Sequence, residues 1–208
     1  MGQVRVDISM SVDGFIAGPN ASPALPLGKG GDRLHQWIYE LESWRAMHGL
    51  EGGRGGRDAE IVEEAFRDVR AVVMGRRMFD EGVEPWGDNP PFHVPVFIVT
   101  HHAREKLVKE GGTSYTFVTE GVERAVAQAV TAAAGHDVSV AGGASVIQQA
   151  LNAGLLDEIQ VHLIPVLLGA GRRLFGEDGG GPIELEITRV EASPGVIHTR
   201  FRMPGRRS

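Results

Sequence analysis

The sequence Val138-Ser-Val-Ala-Gly-Gly-Ala-Ser-Val-Ile-Gln-Gln-Ala-Leu151 predicts a short apolar strand, a Gly-Gly turn and a helix that opens on Ala144 and Ser145. The N-terminus of a helix carries unpaired backbone N–H groups and about half a positive charge. Gly142 and Gly143 allow close approach to the backbone because they have no side chain. The segment therefore favours a diphosphate site, although an ordinary strand–helix turn has the same pattern.

Strand-like and helix-like patterns alternate on both sides of this segment. Continuous apolar runs such as 71–75 and 94–100 are typical of strands that are buried on both faces. The other strand-like segments are 4–10, 138–141 and 158–163, and the helical patterns are 32–47, 58–69, 122–134 and 145–152. Two alternating segments, 183–190 and 196–203, flank Ser193-Pro-Gly195 and predict an antiparallel hairpin.

This order predicts a single α/β domain over residues 1–208. It should have three αβα layers, a central mostly parallel sheet and a C-terminal antiparallel hairpin. A long loop rich in Gly and Pro, 18–31, should separate the first strand from the first helix.

Composition excludes several classes of protein. The net charge of −6 argues against a nucleic-acid surface, which needs a basic footprint. The absence of cysteine rules out disulfides, thiol nucleophiles and cysteine-ligated metals, and the histidines lack the compact spacing of a metal site. No secretory signal is visible and the best apolar run, 163–170, is too short to span a membrane, so we expect a cytoplasmic protein.

Arg76 and Arg77 follow a buried strand directly, at the start of a predicted helix. Cations in the first turn of a helix oppose its dipole, so an anion nearby would explain them. Arginine suits phosphate because its planar fork can donate two hydrogen bonds. A ribose 2′-phosphate is one explanation, and solvated arginines at a loop edge are the other.

A third strand end, at Thr100, His101 and His102, should lie beside the arginines, since ligands collect at the carboxyl ends of parallel strands. These residues could face an adenosine or could simply be solvated. No Walker-type loop, complete G-x-G-x-x-G or G-x-S-x-G elbow is present, which argues against kinases, ATPases and serine hydrolases.

Four motifs in order carry a family resemblance: Ser11–Gly18, Val73–Phe79, Val140–Gln149, and Leu156–Ile159 with Pro165–Gly171. Through them the chain resembles the dihydrofolate-reductase-like superfamily, most closely the branch of the riboflavin-biosynthesis reductase (RibD C-terminal) domain. The resemblance covers nearly the whole chain and implies an NADPH-dependent oxidoreductase, with NADPH extended over the sheet and a cis peptide bond between Gly142 and Gly143.

The resemblance also assigns residues to parts of NADPH. They are Gly143, Ala144, Ser145 and Val146 for the diphosphate, with Gln149 further along the same helix, Arg76 and Arg77 for the 2′-phosphate, Thr100 and His101 for the adenosine edge, and Ser9 and Ile16 beside the nicotinamide. Gly75 and Gly142 complete the set of cofactor residues.

The substrate side matches less well. Asp32 falls near the position of the carboxylate that protonates the pterin in folate enzymes, but it could instead cap a helix over 33–47. Asp13 could contact substrate or serve its Val-Asp-Gly turn. The segment Asn89–Pro95 lacks the arginine that holds the folate tail, which argues against folate.

We therefore predict a reductase that passes hydride from NADPH to a small heterocyclic or ribosylaminopyrimidine substrate, similar to 5-amino-6-(5-phosphoribosylamino)uracil reductase. The alternatives are a catalytically silent NADPH-binding regulatory protein, a dihydrofolate reductase, and an NADH-using or flavin-linked protein. Relatives commonly dimerise, and the 159–168 strand with the tail hairpin could form a homodimer surface.

Overall fold

A nine-stranded mixed sheet organises the fold in the computed structural model, which describes residues 2–176 and 182–203. The strands are β1 Val4–Ser11, β2 Phe15–Ala17, β3 Val69–Gly75, β4 Pro95–Val99, β5 Leu107–Val108, β6 Ser114–Val118, β7 Asp137–Gly142, β8 Glu158–Ile164, β9 Arg172–Arg173, β10 Glu186–Ser193 and β11 Val196–Arg202. The helices are α1 Gln36–Tyr39, α2 Glu42–Met47, α3 Arg57–Phe66, α4 Arg76–Gly82, α5 Val122–Ala133 and α6 Ala144–Asn152, with 3₁₀ turns at Gly31–Leu34 and Glu110–Gly112.

The strand order is β10-β11-β8-β1-β7-β3-β4-β6-β5. The six strands from β8 to β6 are parallel, and β5, β11 and β10 add antiparallel edges. β2 and β9 form a separate antiparallel pair. The predicted fold class, a mostly parallel sheet with a C-terminal hairpin, is confirmed.

Helices cover both faces of the sheet. On one face α5 and α6 pack their buried alanine and valine side chains onto β1, β3, β7 and β8. On the other face α4 packs through Phe79, and the segment 31–39 packs through Leu34 and Trp37, while Leu41 and Val62 join α2 and α3 in a smaller cluster. The arrangement is the predicted three-layer αβα sandwich. No helix in the two described ranges is long and apolar enough to cross a membrane.

The centre of the sheet opens between two parallel strands. β1 pairs with β7 only through Val4↔Val138 and Arg5↔Ser139, whereas its ladder with β8 runs over seven pairs from Arg5 to Ser11. The chain inserts β7 between β1 and β3, so the sheet changes winding direction at this point. Ligands of open α/β sheets bind at such switch points, outside the carboxyl ends of the strands.

The prediction of one helix over 32–47 is wrong. The segment divides into the 3₁₀ turn 31–34, α1 and α2 because Leu41 adopts an extended backbone and forms a bridge with Arg54. The apolar spacing nevertheless marked the inward side chains, since Leu34 and Leu41 are fully buried. The capping role suggested for Asp32 is also wrong: Asp32 lies inside the 3₁₀ turn and Gly30 precedes it as the cap residue.

Four short strands escaped the sequence patterns. β6 completes the parallel set beside β4, while β5, β2 and β9 are only two or three residues long. The hairpin was expected at 183–190 and 196–203, and its strands are β10 and β11.

The long loop after β2 is closed tightly on itself. A Cβ on Gly18 would lie 2.1 Å from the carbonyl oxygen of Lys29, and one on Gly171 would lie 2.0 Å from that of Ala17. Only glycine permits these backbone contacts. These close backbone contacts give the loop a defined conformation next to β2, beside the end of β1.

Candidate functional site

The predicted cofactor residues converge at the carboxyl edge of three neighbouring strands. Met74 of β3 is in register with Gly142 of β7, and Gly75 is in register with Val99 of β4. The Gly-Gly turn, the arginine pair and Thr100 therefore begin side by side.

The turn between β7 and α6 exposes the start of the helix. The Gly142–Gly143 peptide bond is cis, as the resemblance predicted. The carbonyl of Gly143 accepts hydrogen bonds from Val146 and Ile147, and no side chain caps the helix. The N–H groups of the first residues, Ala144 and Ser145, have no intrahelical acceptor, so they are free to bind an anion.

Space at this turn is distributed unevenly. A Cβ on Gly143 would meet nothing within 4 Å, whereas a Cβ on Gly142 would lie 3.1 Å from the Sδ of Met78. A Cβ on Gly75 would lie 3.1 Å from Val146, which is buried. Gly75, Gly142 and Val146 thus pack the two turns together, while Gly143 faces open space.

The two arginines at the start of α4 differ in their partners. The Nε of Arg76 is 2.7 Å from Oδ1 of Asp80, one helical turn later, which offsets the unfavourable position of its charge. Arg77 is exposed and makes no ion pair or hydrogen bond with any residue that the structure describes. The Arg77 side chain is therefore an unneutralised cation at this edge.

A third guanidinium that sequence reasoning missed lies at the same edge. Arg104 stacks over the rings of Phe79 and Phe117, with its Cζ 5.7 and 5.3 Å from their centroids. Its position four residues after Thr100, beyond a buried strand, was the available signal.

Some of the predicted polar residues use their side chains in hydrogen bonds to residues nearby in sequence. The hydroxyl of Thr100, a buried residue, accepts a hydrogen bond of 3.1 Å from the N–H of His102, and His101 is exposed. The amide of Gln149 donates to the hydroxyl of Ser145 at 2.9 Å. These side chains shape the strand end and the helix start.

Ser9 and Ile16 lie across the opening, on the β1 side. Ser9 is buried, and its hydroxyl accepts a hydrogen bond of 3.0 Å from the indole N–H of Trp37. Ile16 belongs to β2 and packs against the core of the sheet. The indole of Trp37 therefore covers the sheet face near Ser9, where β1 is no longer paired with β7.

The two candidate carboxylates differ in environment. Asp32 is exposed, and its Oδ2 accepts a hydrogen bond of 3.2 Å from the Gln36 amide. Asp13 accepts from the Ser11 hydroxyl at 2.6 Å and from the N–H groups of Leu168 and Gly169 at 3.1 and 2.7 Å. The Ser11 bond, followed by those of the two N–H groups, lowers the pKa of Asp13 to about 2. Asp13 thus anchors the 167–169 loop to the turn after β1.

A buried polar row, defined by Asp7, His162, His198 and Asp58, lies under Trp37 and was missed from the sequence. His162 Nε2 is 3.0 Å from Asp7 Oδ1, the two Nδ1 atoms of the histidines are 2.7 Å apart, and His198 Nε2 is 3.2 Å from Asp58 Oδ1. The residues come from β1, β8, β11 and α3. Polar residues at alternate positions of otherwise apolar strands were the available signal.

His35 lies next to this row, at the start of α1, and is partly buried. Burial, assisted by the charge of His162, lowers the pKa of His35 to about 4. Its imidazole is therefore neutral at pH 7.

Comparison with known sequences gives a consistent result. The family model of the RibD C-terminal domain matches residues 3–199. The uncharacterized protein YyaP of Bacillus subtilis (strain 168) is 25% identical over 169 residues, which are 75% of this chain and 89% of YyaP. The uncharacterized protein YwjB of the same organism is 26% identical over 178 residues, or 82% of this chain and 80% of YwjB.

Solved structures share the fold. A protein of Shewanella sp. PV-4 named for riboflavin biosynthesis superposes with a TM-score of 0.70 at 22% identity, over 98% of this chain and 99% of that one. The Thermotoga maritima diaminohydroxyphosphoribosylaminopyrimidine deaminase/5-amino-6-(5-phosphoribosylamino)uracil reductase gives 0.60 at 15%, over 97% of this chain and 56% of that one. The Enterococcus faecalis dihydrofolate reductase complexed with NADP(H) gives 0.56 at 12%, with 98% of each chain covered.

Proposed function

The chain belongs to the RibD C-terminal domain family, and from this premise we propose that it is a reductase that uses NADPH. The observation that carries the proposal is the placement of an uncapped helix N-terminus beside an unpaired arginine at the carboxyl edge of the sheet. Gly143 opens the first feature and Arg77 supplies the second. Two anion-binding features at the ends of neighbouring strands suit a ligand with two separate phosphate groups.

The residues present fit NADPH part by part. The N–H groups of Ala144 and Ser145 bind the diphosphate, and the free space over Gly143 admits it. Arg77 pairs with the 2′-phosphate, with Arg76 beside it. The Enterococcus faecalis dihydrofolate reductase, which shares the fold and was solved with NADP(H), supports the choice of ligand.

Bound NADPH supplies the hydride, and the protein supplies orientation and the exclusion of water. The opening between β1 and β7 receives the reactive end of the cofactor, between Ser9 and the Gly-Gly turn. Trp37 and the closed loop after β2 form the walls on the substrate side. Asp32, at the rim of the same segment, is the proposed source of the proton.

We propose that the substrate is a small heterocycle of the ribosylaminopyrimidine class. The names of the Shewanella and Thermotoga proteins, which share the fold, support a riboflavin-pathway substrate. The absence of arginine from Asn89–Pro95 disfavours folate, whose tail carries carboxylates.

A catalytically silent NADPH-binding protein is the second candidate, and one observation favours it. Both predicted carboxylates are already engaged, Asp13 by three donors and Asp32 by Gln36. Asp32 could still release a proton because it is exposed, but Asp13 is committed to the loop.

A second copy of the chain is the proposed partner. One face of the hairpin carries Ile187, Val190 and Ile197, which are 64%, 61% and 39% exposed. This apolar face continues from the part of β8 that α6 covers, since Ile197 is paired with Leu163 of β8. No described residue covers the hairpin face, so it suits a symmetric contact with a second hairpin.

Binding and turnover test the proposal separately. We expect the wild-type protein to bind NADPH more tightly than NADH in a calorimetric titration and to oxidise NADPH in the presence of 5-amino-6-(5-phosphoribosylamino)uracil. Arg77→Ala should weaken NADPH binding by about tenfold to a hundredfold and leave NADH binding unchanged, since a charge-assisted bond contributes roughly 1.5–3 kcal/mol.

Lys106→Ala removes an exposed cation elsewhere on this side and serves as the matched control. Equal loss of NADPH and NADH affinity in Arg77→Ala would remove the 2′-phosphate assignment. Tight NADPH binding without oxidation by pyrimidine, pterin or aldehyde substrates would favour the silent binding protein.

A further inference from the structure

The buried polar row joins four ionisable side chains in one line of hydrogen bonds. His162 and His198 are 1% and 0% exposed, and Asp58 is 4% exposed. The distances along the row, from Asp7 through the two histidines to Asp58, are 3.0, 2.7 and 3.2 Å. Water does not separate these groups, so each contact requires its own donor and acceptor.

Counting donors shows how many protons the row holds. An ionised carboxylate can only accept, so with both carboxyls ionised each Nε2 carries one proton and donates it to its carboxylate. The Nδ1 atoms, 2.7 Å apart, form a hydrogen bond only if one of them also carries a proton. The two rings therefore hold three protons, one more than two neutral imidazoles carry.

The surrounding charges are consistent with one imidazolium. Burial alone would raise the pKa of Asp7, but the charge and hydrogen bond of His162, with the amide of Gln160, hold it below its usual value. Burial likewise opposes the ionisation of Asp58, whose pKa is nevertheless lowered by hydrogen bonds from Ser193 and His198. Both carboxyls are thus ionised.

Opposing effects act on the protonation of His198. Burial and the charge of His162 lower the pKa of His198, and the bond to Asp58 offsets this only in part. The charged or titratable groups that face the pair are Asp7 of β1, Glu158 of β8, Arg200 of β11, Glu191 of β10, Asp58 of α3, Arg54 before α3, and His35 before α1.

Trp37 connects the row to the candidate site. Its ring centroid is 4.7 Å from that of His162 and 5.2 Å from that of His198, and its N–H binds Ser9. A cation within about 6 Å of an indole ring is attracted to it. α1 and α2 contain no fully buried residue of their own, so Trp37 together with Leu34 attaches this segment to β8 and β11, and Leu41 attaches it to α3.

We propose that His162 and His198 are positioning residues of the substrate wall, which share one proton whose charge holds Trp37 against Ser9. The substrate wall is defined by the proposed reductase function, on which this assignment rests. The shared proton does not depend on that function, since it follows from the three contact distances together with the ionised carboxyls. Neutralising the pair loosens Trp37 and with it the segment 31–47 that carries Asp32.

A metal ion is the other ligand that two imidazoles and two carboxylates suggest. In this row each nitrogen already faces a neighbour within the row, so the donors do not converge on one point. No group of three or more potential ligands within residues 2–176 and 182–203 could hold a metal. A proton, not a metal, bridges the histidines.

Nitrogen-15 NMR of histidine-labelled wild-type protein tests the shared proton directly. At about pH 7 we expect three protonated ring nitrogens in His162 and His198 together, with one proton shared between the Nδ1 atoms. Asp58→Asn, which removes one counter-charge, should lower the pH at which the third proton is lost by about one unit. Glu63→Gln, an exposed carboxylate on the same helix, is the control and should not change it. Two unprotonated Nδ1 atoms in the wild type would overturn the proposal.

Fluorescence of Trp37 tests the coupling. The chain has three tryptophans, so the Trp44→Phe, Trp86→Phe background isolates Trp37. We expect its emission to change across the pH at which NMR shows loss of the shared proton, and His198→Gln should abolish that change. If Trp37 emission stays constant while NMR shows that the proton is lost, the positioning role is overturned. This outcome does not depend on whether the protein turns over a substrate.

Kinetics then separates this inference from the proposed function. Trp37→Phe should raise KM for the pyrimidine by about tenfold, which is the scale of one cation–π contact, while the Kd for NADPH changes less than about twofold. An unchanged KM would contradict the positioning role. Absence of turnover in the wild type would contradict the reductase proposal, and the NMR and fluorescence results would still decide the role of the histidines.

Discussion

At the scale of single residues, two adjacent glycines have opposite surroundings. Gly142 has a φ of +142° and faces Met78, whereas Gly143 has a φ of −80° and faces open space. A side chain at Gly142 would disturb the fold, and one at Gly143 would disturb only what binds there.

Alanine at each glycine should separate stability from binding. We expect Gly142→Ala to lower the free energy of unfolding by about 1–3 kcal/mol, because the backbone conformation is unfavourable for a side chain. Gly143→Ala should leave the free energy of unfolding nearly unchanged and weaken NADPH binding by about tenfold, since the methyl group occupies the proposed diphosphate space. Urea unfolding and calorimetry measure the two quantities. Normal NADPH affinity in Gly143→Ala would remove this turn from the cofactor site.

His35 should make the protein less stable in weak acid. Its pKa is lowered to about 4 in the folded state, chiefly by burial, so between about pH 6.5 and 4 the unfolded chain binds more protons than the folded one. The free energy of unfolding should therefore fall as the pH decreases through this range, by roughly 2 kcal/mol from His35 alone. His35→Gln should remove that part of the decrease in urea unfolding at pH 7 and about pH 4.5. An identical decrease in both proteins would show that His35 does not titrate as described.

At the scale of elements, the turn after β1 and the loop after β8 depend on one carboxylate. Asp13 receives the N–H groups of Leu168 and Gly169, and Arg173 donates to its backbone carbonyl at 3.1 Å. The Asp13 contacts hold the two connections together beside the pair of β2 and β9.

Removal of this carboxylate should release the loop without unfolding the sheet. We expect Asp13→Ala to increase hydrogen exchange at the amides of Leu168 and Gly169 by about tenfold or more, because each loses a charge-assisted acceptor. Exchange in β3 and β4 should remain as in the wild type. If the loop amides exchange no faster, Asp13 is not the anchor and a substrate role becomes the better explanation.

Sequence patterns predicted those strands and helices whose structure is determined by burial alone. The continuous apolar runs of β3 and β4 were recognised because strands buried on both faces need no partner-specific residues. The helix over 32–47 was wrong because the bridge between Leu41 and Arg54, which interrupts it, forms between residues distant in sequence. β2 and β9 escaped for the same reason, since each is defined only by its pairing with the other.

The candidate site divides in the same way. Its glycine turn and arginine pair are local features, and the sequence predicted their place at the strand ends. The contact between His162 and His198 depends on strand register across 36 positions, so no local pattern contains it. Proximity of this kind is visible only once β8 and β11 are paired.

At the scale of the whole molecule, the apolar face of the sheet extends beyond the helices that cover it. α5 and α6 share one apolar core with β1, β3, β7 and β8, and the hairpin face with Ile187 and Val190 remains exposed in the described structure. A patch of this kind at the end of a sheet marks a protein–protein contact.

A charge on the hairpin face should therefore dissociate the proposed dimer. We expect the wild-type protein to sediment as a dimer of the 22.4 kDa chain and Val190→Glu to sediment as a monomer. Val130→Glu places the same charge on an exposed valine of α5 and is the matched control, which should stay dimeric. A monomeric wild type, or a dimeric Val190→Glu, would assign the hairpin face no role in association.

The early end of the ladder between β1 and β7 has a mechanical consequence. It divides the sheet into two wings, one of β10, β11, β8 and β1 and the other of β7, β3, β4, β6 and β5, which are pinned to each other by two residue pairs near Val4 and Arg5. The two wings are paired at the amino ends of β1 and β7 and are unpaired at the carboxyl ends of these strands. The proposed NADPH, seated across the gap, would contact both wings and would therefore oppose their separation.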